Sequence, residues 1–254
     1  MTIRLLPEIA VLYMLAFARI GAILMLLPGI GETAVNTRIR LALALLLTLV
    51  LHPIAAPLYP RGLATRPEAL GAMLAGEIAI GLFIGMASRL VLAAAQVAGT
   101  TIANQLGLGF AMTVDPTQGQ QGVIFGNFLS LMAVTLIFVG DLHVPALSAV
   151  SSSFTLFPPG QWVPAGDFAE VTVKLVGESF RVGLQVSAPF LAFGLIFNLG
   201  LGMLQKMMPQ FQIFFVAMPL SIGVGLVLFG LVLSTMMLWY MDHVRDGFGR
   251  LVAG

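Results

Sequence analysis

No charged side chain stands between Phe211 and Tyr240. Comparable apolar runs lie at Ile9 to Leu27, Ile39 to Leu51, Leu70 to Leu106 with interruptions, Val123 to Val139, and Val182 to Met203. A helix that crosses a bilayer needs about 20 predominantly apolar residues, so six or seven helical segments of this kind point to an all-α integral membrane protein built of hydrophobic helical hairpins. Only 9% of the 254 residues are charged, against roughly 25% in an ordinary soluble domain, and a surface that poor in charge is a surface for lipid or for protein neighbours. The run from Leu70 to Leu106 is too long for one crossing at about 1.5 Å per residue, which leaves a helical hairpin or one long helix that extends beyond the bilayer. Arg4 followed by the first run imitates a signal peptide, but the run is long for that and no small-x-small site closes it. It is read as a retained first membrane helix.

Twelve basic and eleven acidic residues leave a net charge of +1 without any like-charge block, so the chain offers nothing to a nucleic acid. With no cysteine, disulfides, thiolate metal sites and cysteine nucleophiles are excluded. His52, His143 and His243 are too far apart to form a local metal motif. The chain carries no P-loop, dinucleotide fingerprint, H-E-x-x-H or G-x-S-x-G. It names no catalytic residue, no metal ligand and no cofactor, and the reading is a non-enzymatic protein.

Breakers divide the chain into hairpins: Pro28-Gly29, then Pro53, Pro57, Pro60 and Pro67, then Asp115-Pro116 and Pro158-Pro159-Gly160. The longest polar connection, Gly140 to Val173, contains Asp141, Asp167 and Glu170 but no lysine or arginine. The positive-inside tendency turns it away from the cytoplasm. A coarse boundary falls near Lys174, with residues 1–174 in an N-terminal part and 175–254 in a C-terminal hairpin.

Charges inside apolar segments are expensive and are the first functional candidates. Glu178 and Arg181, three apart, lie on one helix face and can pair. Glu77 and Arg89 are about 120° apart around a common helix, so each needs a partner on a neighbouring segment or subunit. Gly81 and Gly85 form a G-x-x-x-G with Ser88 on nearly the same face, which suits close helix packing. The segment Leu106, Gly107, Leu108, Gly109, Phe110, Ala111, Met112, Thr113, Val114, Asp115 and Pro116 joins helix-weakening glycines to apolar side chains and a turn. Non-helical backbone at membrane depth is tolerated only when it is buried in protein or lines a cavity. A loop presenting Phe110 and Met112 to a pore would close it as a hydrophobic constriction; packed on the core, the same loop would be an ordinary turn.

Gly99 to Pro116, GTTIANQLGLGFAMTVDP, with FVGDLHVPALSAVSSSFTLFPPG from Phe138 to Gly160, resembles the central signature of the FliR family of flagellar export-gate proteins. Arg19, Pro28, Arg38 and Arg40, GEIAIGLFIG from Gly76 to Gly85, and MPQFQIFFVAMPLSIGVGL from Met208 to Leu226 follow the same family in order. The resemblance covers essentially the whole chain. It departs at Gly140-Asp141-Leu142-His143, where relatives often carry an asparagine-glycine-histidine turn. It implies a channel subunit of the type III secretion apparatus in the bacterial inner membrane, multi-pass, at the flagellar basal body. The implied partners are FliP-like and FliQ-like subunits, FlhA-like and FlhB-like gate proteins, and unfolded flagellar proteins as the exported cargo. It further implies a FliP-like part over 1–174, a FliQ-like hairpin over 175–254, and a pore plug at about 106–122. A related injectisome gate subunit is the nearest alternative. A small-molecule secondary transporter coupling through Glu77 and Arg89 is the alternative from another class, though neither inverted repeats nor matched broken helices support it.

Overall fold

The computed structural model describes residues 5–32, 34–60, 62–108, 121–161, 165–208 and 213–253. Those residues form helices and turns without a strand: α1 (Leu5–Leu26), α2 (Thr37–Ala55), α3 (Pro67–Gln105), α4 (Gln121–Val139), α5 (His143–Leu156), α6 (Ala165–Val186), α7 (Ala188–Met207) and α8 (Ile213–Ala253). Five are long and apolar enough to cross a membrane, α1, α2, α3, α7 and α8, with a sixth if α4 and α5 count as one bent span. The protein is therefore an all-α, multi-pass membrane protein.

The helix ends follow local chemistry. Asn36 opens α2 by accepting the Arg38 N–H at 2.9 Å on its side-chain oxygen, the usual service of an N-cap asparagine. Pro67 and Glu68 open α3; a first-turn proline gives up only a donor that has no helical acceptor, and the acid suits the positive end of the helix dipole. The apolar run that begins at Leu70 lies in one unbroken helix, Pro67–Gln105, of 39 residues, longer than about 30 Å of hydrocarbon requires.

Two boundaries differ from the apolar runs. The polar connection from Gly140 to Val173 holds all of α5 and the start of α6. α6 buries Ser179, Val182 and Val186 along one side of its C-terminal part and exposes Val171, Val173 and Phe180, so its helix signal there is periodicity rather than an apolar run. The run from Val182 to Met203 is interrupted at Ser187. Pro189 has no N–H to continue the ladder, and the next donors, Phe190 and Leu191, turn back to the Ser187 carbonyl.

The chain clusters into two compact units. One comprises 1–91, 138–175 and 245–254; the other comprises 92–137 and 176–244. In the first, α1 is the central element, with Leu15, Ile20, Ile23 and Leu24 fully buried. α2 packs on α1 but exposes Ile39, Leu46, Leu49 and Val50. In the second, Ala94, Ala98, Ile102, Leu106, Leu129 and Phe190 are the buried interior. The Phe229 ring meets Phe125 edge-on at 5.1 Å there. Gly99 and Gly126 bring α3 and α4 into backbone contact, since a Cβ on Gly99 would collide with the Gly126 main chain.

Candidate functional site

Two places collect most of the described residues singled out in the sequence, and each is built within one unit. The first is the exit from α3. Gly107 takes φ +82, and its N–H reaches the Asn104 carbonyl at 3.1 Å while the Leu108 N–H reaches the Ala103 carbonyl at 3.0 Å. This is the paired closure of a Schellman motif, in which the left-handed residue is normally glycine. The helix is therefore stopped by a defined turn. Leu106 is fully buried and occupies the space left by the missing side chain of Gly225 on α8; the Gln105 side chain does the same at Gly194 on α7. Gly109, Phe110, Ala111, Met112, Thr113, Val114, Asp115 and Pro116 lie outside the described residues.

The second is a charge pair in the other unit. Arg19 and Glu77 are 0% and 1% exposed and meet in a two-point ion pair. Arg19 Nη2 donates to Glu77 Oε1 at 2.9 Å, and Nε donates to Oε2. Its Nη1 donates to the carbonyls of Ser153 at 2.9 Å and Phe157 at 2.8 Å, at the C-terminal end of α5, and the guanidinium lies 4.5 Å from the Phe154 ring centre. The planar five-donor fork of arginine suits this geometry, and a lysine could not reproduce it. A cation in the middle of an apolar helix costs about 2.5–3.5 kcal/mol on insertion scales. Here it meets a carboxylate, two helix-end carbonyls and an aromatic face. Tyr59, in the connection between α2 and α3, is 5% exposed and sits close enough to Glu77 to feel its charge without reaching hydrogen-bond geometry. Burial first, and then the carboxylate, push its phenol pKa upward.

The register explains the pairing. Glu77, Gly81 and Gly85 recur every four residues, one stripe of α3. A Cβ at Gly81 would come within 2.6 Å of the Arg19 carbonyl oxygen and one at Gly85 within 2.7 Å of the Leu26 Cβ. The glycines let α3 lie directly on α1, and that close approach carries the Glu77 carboxylate to Arg19. Ser88, on nearly the same face, is buried and bonds back to the Gly85 carbonyl at 2.7 Å. Arg89 is off the stripe, exposed, and in no ion pair among the described residues. Glu178 and Arg181 stand 3.8 Å apart on α6, with the arginine side chain 68% exposed. The sequence shows an arginine inside the first apolar run and a glutamate inside the third, opposite charges that each need a neighbour. That complementarity was the available signal for Arg19; nothing in the sequence marks Tyr59.

Comparison with known proteins fits this arrangement of apolar helices. Residues 10–247 match the family described as Bacterial export proteins, family 1. This chain belongs to the FliR family. It is 40% identical to the flagellar biosynthetic protein FliR of Caulobacter vibrioides over 91% of this chain and 92% of that one. FliR of Escherichia coli is 29% identical over 95% of this chain and 91% of its own length. The Yop proteins translocation protein T of Yersinia pestis is 24% identical over 59% of this chain and 58% of that protein. Membership of the family covers both units, since the matched residues run through every described helix.

Proposed function

We propose that the chain is a non-enzymatic structural subunit of the flagellar type III export gate in the bacterial inner membrane, helping unfolded flagellar proteins to cross. The observation that carries this reading is the 40% identity to a flagellar FliR along nearly the full length of both proteins. The apolar helices supply the physical counterpart, a chain that can be embedded but has few charges of its own. Its partners in this reading are FliP-like and FliQ-like subunits, with FlhA-like and FlhB-like gate proteins beside them. Residues 1–174 act as the FliP-like part and 175–254 as the FliQ-like hairpin. The segment from Leu106 to Pro116 serves as the pore plug, and the fixed helix end at Gly107 with Leu106 seated against Gly225 supports that role. A loop that blocks a pore needs a firm base, and its apolar side chains would exclude water from a narrow passage.

An injectisome gate is less well supported, because the Yersinia relative is matched over a shorter stretch at lower identity. The transporter reading loses its proposed coupling site: Glu77 is held by Arg19, and Arg89 is exposed on another face. The test is to co-express the tagged chain with FliP-like and FliQ-like subunits and identify what co-purifies. Recovery of a stoichiometric membrane complex with both is expected. A chain that purifies alone, and fails to restore motility to a strain lacking its flagellar FliR, would overturn the reading.

A further inference from the structure

α2 buries only Ala44, Thr48 and Ala55, against α1 and its own end. Leu41, Leu45, Leu49, Leu46, Val50 and Ile54, in angular order, are exposed and cover about 220° of the circumference at about 100° per residue. From Ile39 to Val50 that arc carries no glycine, serine or side-chain amide, and Ala42 is its one small residue. The Thr48 hydroxyl lies on the buried side and donates back to the Ala44 carbonyl at 2.7 Å. α7 and α8 are uncovered in another way: α7 exposes Asn198, Gly202 and Gln205, and α8 exposes Gly223, Gly230 and Ser234. Membrane helices meet one another through small residues, amides and hydroxyls, while lipid tails are as apolar as leucine and ask for none of these. By that chemistry the α2 arc is a surface for acyl chains.

Length and charge agree with this. The apolar span Thr37–Leu58 has 22 residues, about 33 Å at 1.5 Å per residue, against about 30 Å of hydrocarbon. Arg38, Ala42, Leu45 and Leu49 follow one another at i, i+4, i+7 and i+11, on one side of the helix, and all four are exposed. The uncovered stripe therefore ends on a cation. Arg40, also in the first turn, is directed inward, with Nη2 on the carbonyls of Glu32 and Val35 at 3.0 Å each. Arg38 is in no ion pair among the described residues, and neither is Glu32, the half-buried acid of the preceding turn. Two cations thus stand against one acid at this end, which favours an anion.

We propose that α2 is a lipid-facing wall of the protein, its uncovered arc solvated by phospholipid acyl chains and Arg38 seated on the phosphate of an anionic headgroup. An arginine at the end of an apolar stripe keeps its stem on hydrocarbon and its guanidinium at headgroup level. The inference rests on the membrane-embedded fold and goes beyond the export-gate reading: it separates the side of the chain that stays in lipid from the sides left for other subunits.

The absence of cysteine makes a single introduced thiol unique. Leu49→Cys and Ala42→Cys, each labelled with a bimane fluorophore, are to be reconstituted in vesicles of phosphatidylcholine and phosphatidylglycerol, both as the chain alone and as the complex with co-expressed gate subunits. The acyl chains of one lipid at a time carry a nitroxide quencher. Both fluorophores should be quenched, and to the same degree in the two states, because no subunit displaces lipid from α2 on assembly. At Ala42→Cys, one turn from Arg38, quenching should report phosphatidylglycerol enriched by about fivefold, the share of one arginine near an anionic surface. Arg38→Gln should abolish that enrichment and leave total quenching unchanged. Melting of each labelled variant reports folding separately. Loss of quenching at Leu49→Cys on assembly would show that a subunit covers α2 and overturn the lipid-facing wall; undiminished enrichment in Arg38→Gln would overturn the headgroup contact. Failure of the chain to enter any complex would overturn the export-gate reading alone, and α2 would then be decided by the chain by itself, where a Leu49→Cys fluorophore that lipid does not quench refutes the proposal.

Discussion

Arg19 and Glu77 show how a charge becomes tolerable inside an apolar helix. Removing one member of a buried ion pair leaves the other uncompensated and costs about 3–5 kcal/mol, while replacing both by apolar residues of similar volume is often close to neutral. Arg19→Met and Glu77→Leu should each lower the melting temperature of the detergent-solubilised chain sharply. The double variant should recover much of the loss, but not all, because the Ser153 and Phe157 carbonyls lose their donor in either case. Additive single effects in thermal unfolding would show that the two residues act independently. Glu178 and Arg181 belong to the other regime. With the arginine side chain 68% exposed and the nearest approach at 3.8 Å, alanine at either position should change stability by less than about 1 kcal/mol. A large loss in the same melting experiment would mean that the pair is buried by a neighbour the isolated chain lacks.

At the scale of elements, glycine sets how close helices come. Gly85 rests on Leu26 and Ile23 of α1, so Gly85→Leu should separate α3 from α1 and pull Glu77 from Arg19. Overpacking of this kind costs about 1–3 kcal/mol, with the broken ion pair added to it. Gly71→Leu, where the added side chain meets open space, is the matched control and should melt like the parent. Equal melting temperatures for the two variants would contradict the packing. The G-x-x-x-G was legible in the sequence because small residues four apart have one usual purpose in apolar helices. Its partner helix was not, since α1 offers only ordinary apolar residues and Arg19 to be recognised by. Helices α1, α2, α3 and α8 were visible as apolar runs, which need no knowledge of tertiary contacts. α5 was hidden by serines, which bond back to their own helix, as Ser148 does to Pro145 and Ser151 to Ser148. The end of α3 was visible as a glycine-rich weakening. That Leu106 would lie in a notch left by Gly225 depends on two helices far apart in sequence, and no local pattern encodes it.

At the scale of the whole molecule, α2 and α7 leave most of their apolar side chains uncovered, among them Leu49, Val50, Leu195, Ile196 and Leu199. Lipid or neighbouring subunits must cover them. The isolated chain should therefore be heterogeneous on size exclusion and become monodisperse with its gate partners. A sharp, thermally stable monomer would argue that its surface is already complete. The same assembly gives the test of the plug. If the segment from Leu106 to Pro116 closes the pore by apolar constriction, deleting 108–114 should leave a gate that assembles but leaks ions. Phe110→Ser with Met112→Ser should leak less, because polar side chains favour wetting while the backbone still obstructs. Gly107 is kept in both, so that α3 still ends in its left-handed turn and Leu106 stays against Gly225. The measurement is ion conductance across the inner membrane, in strains where the complex has been recovered intact. A deletion variant that assembles and is as tight as the parent would place the seal elsewhere and return this loop to the status of a packed interhelical turn.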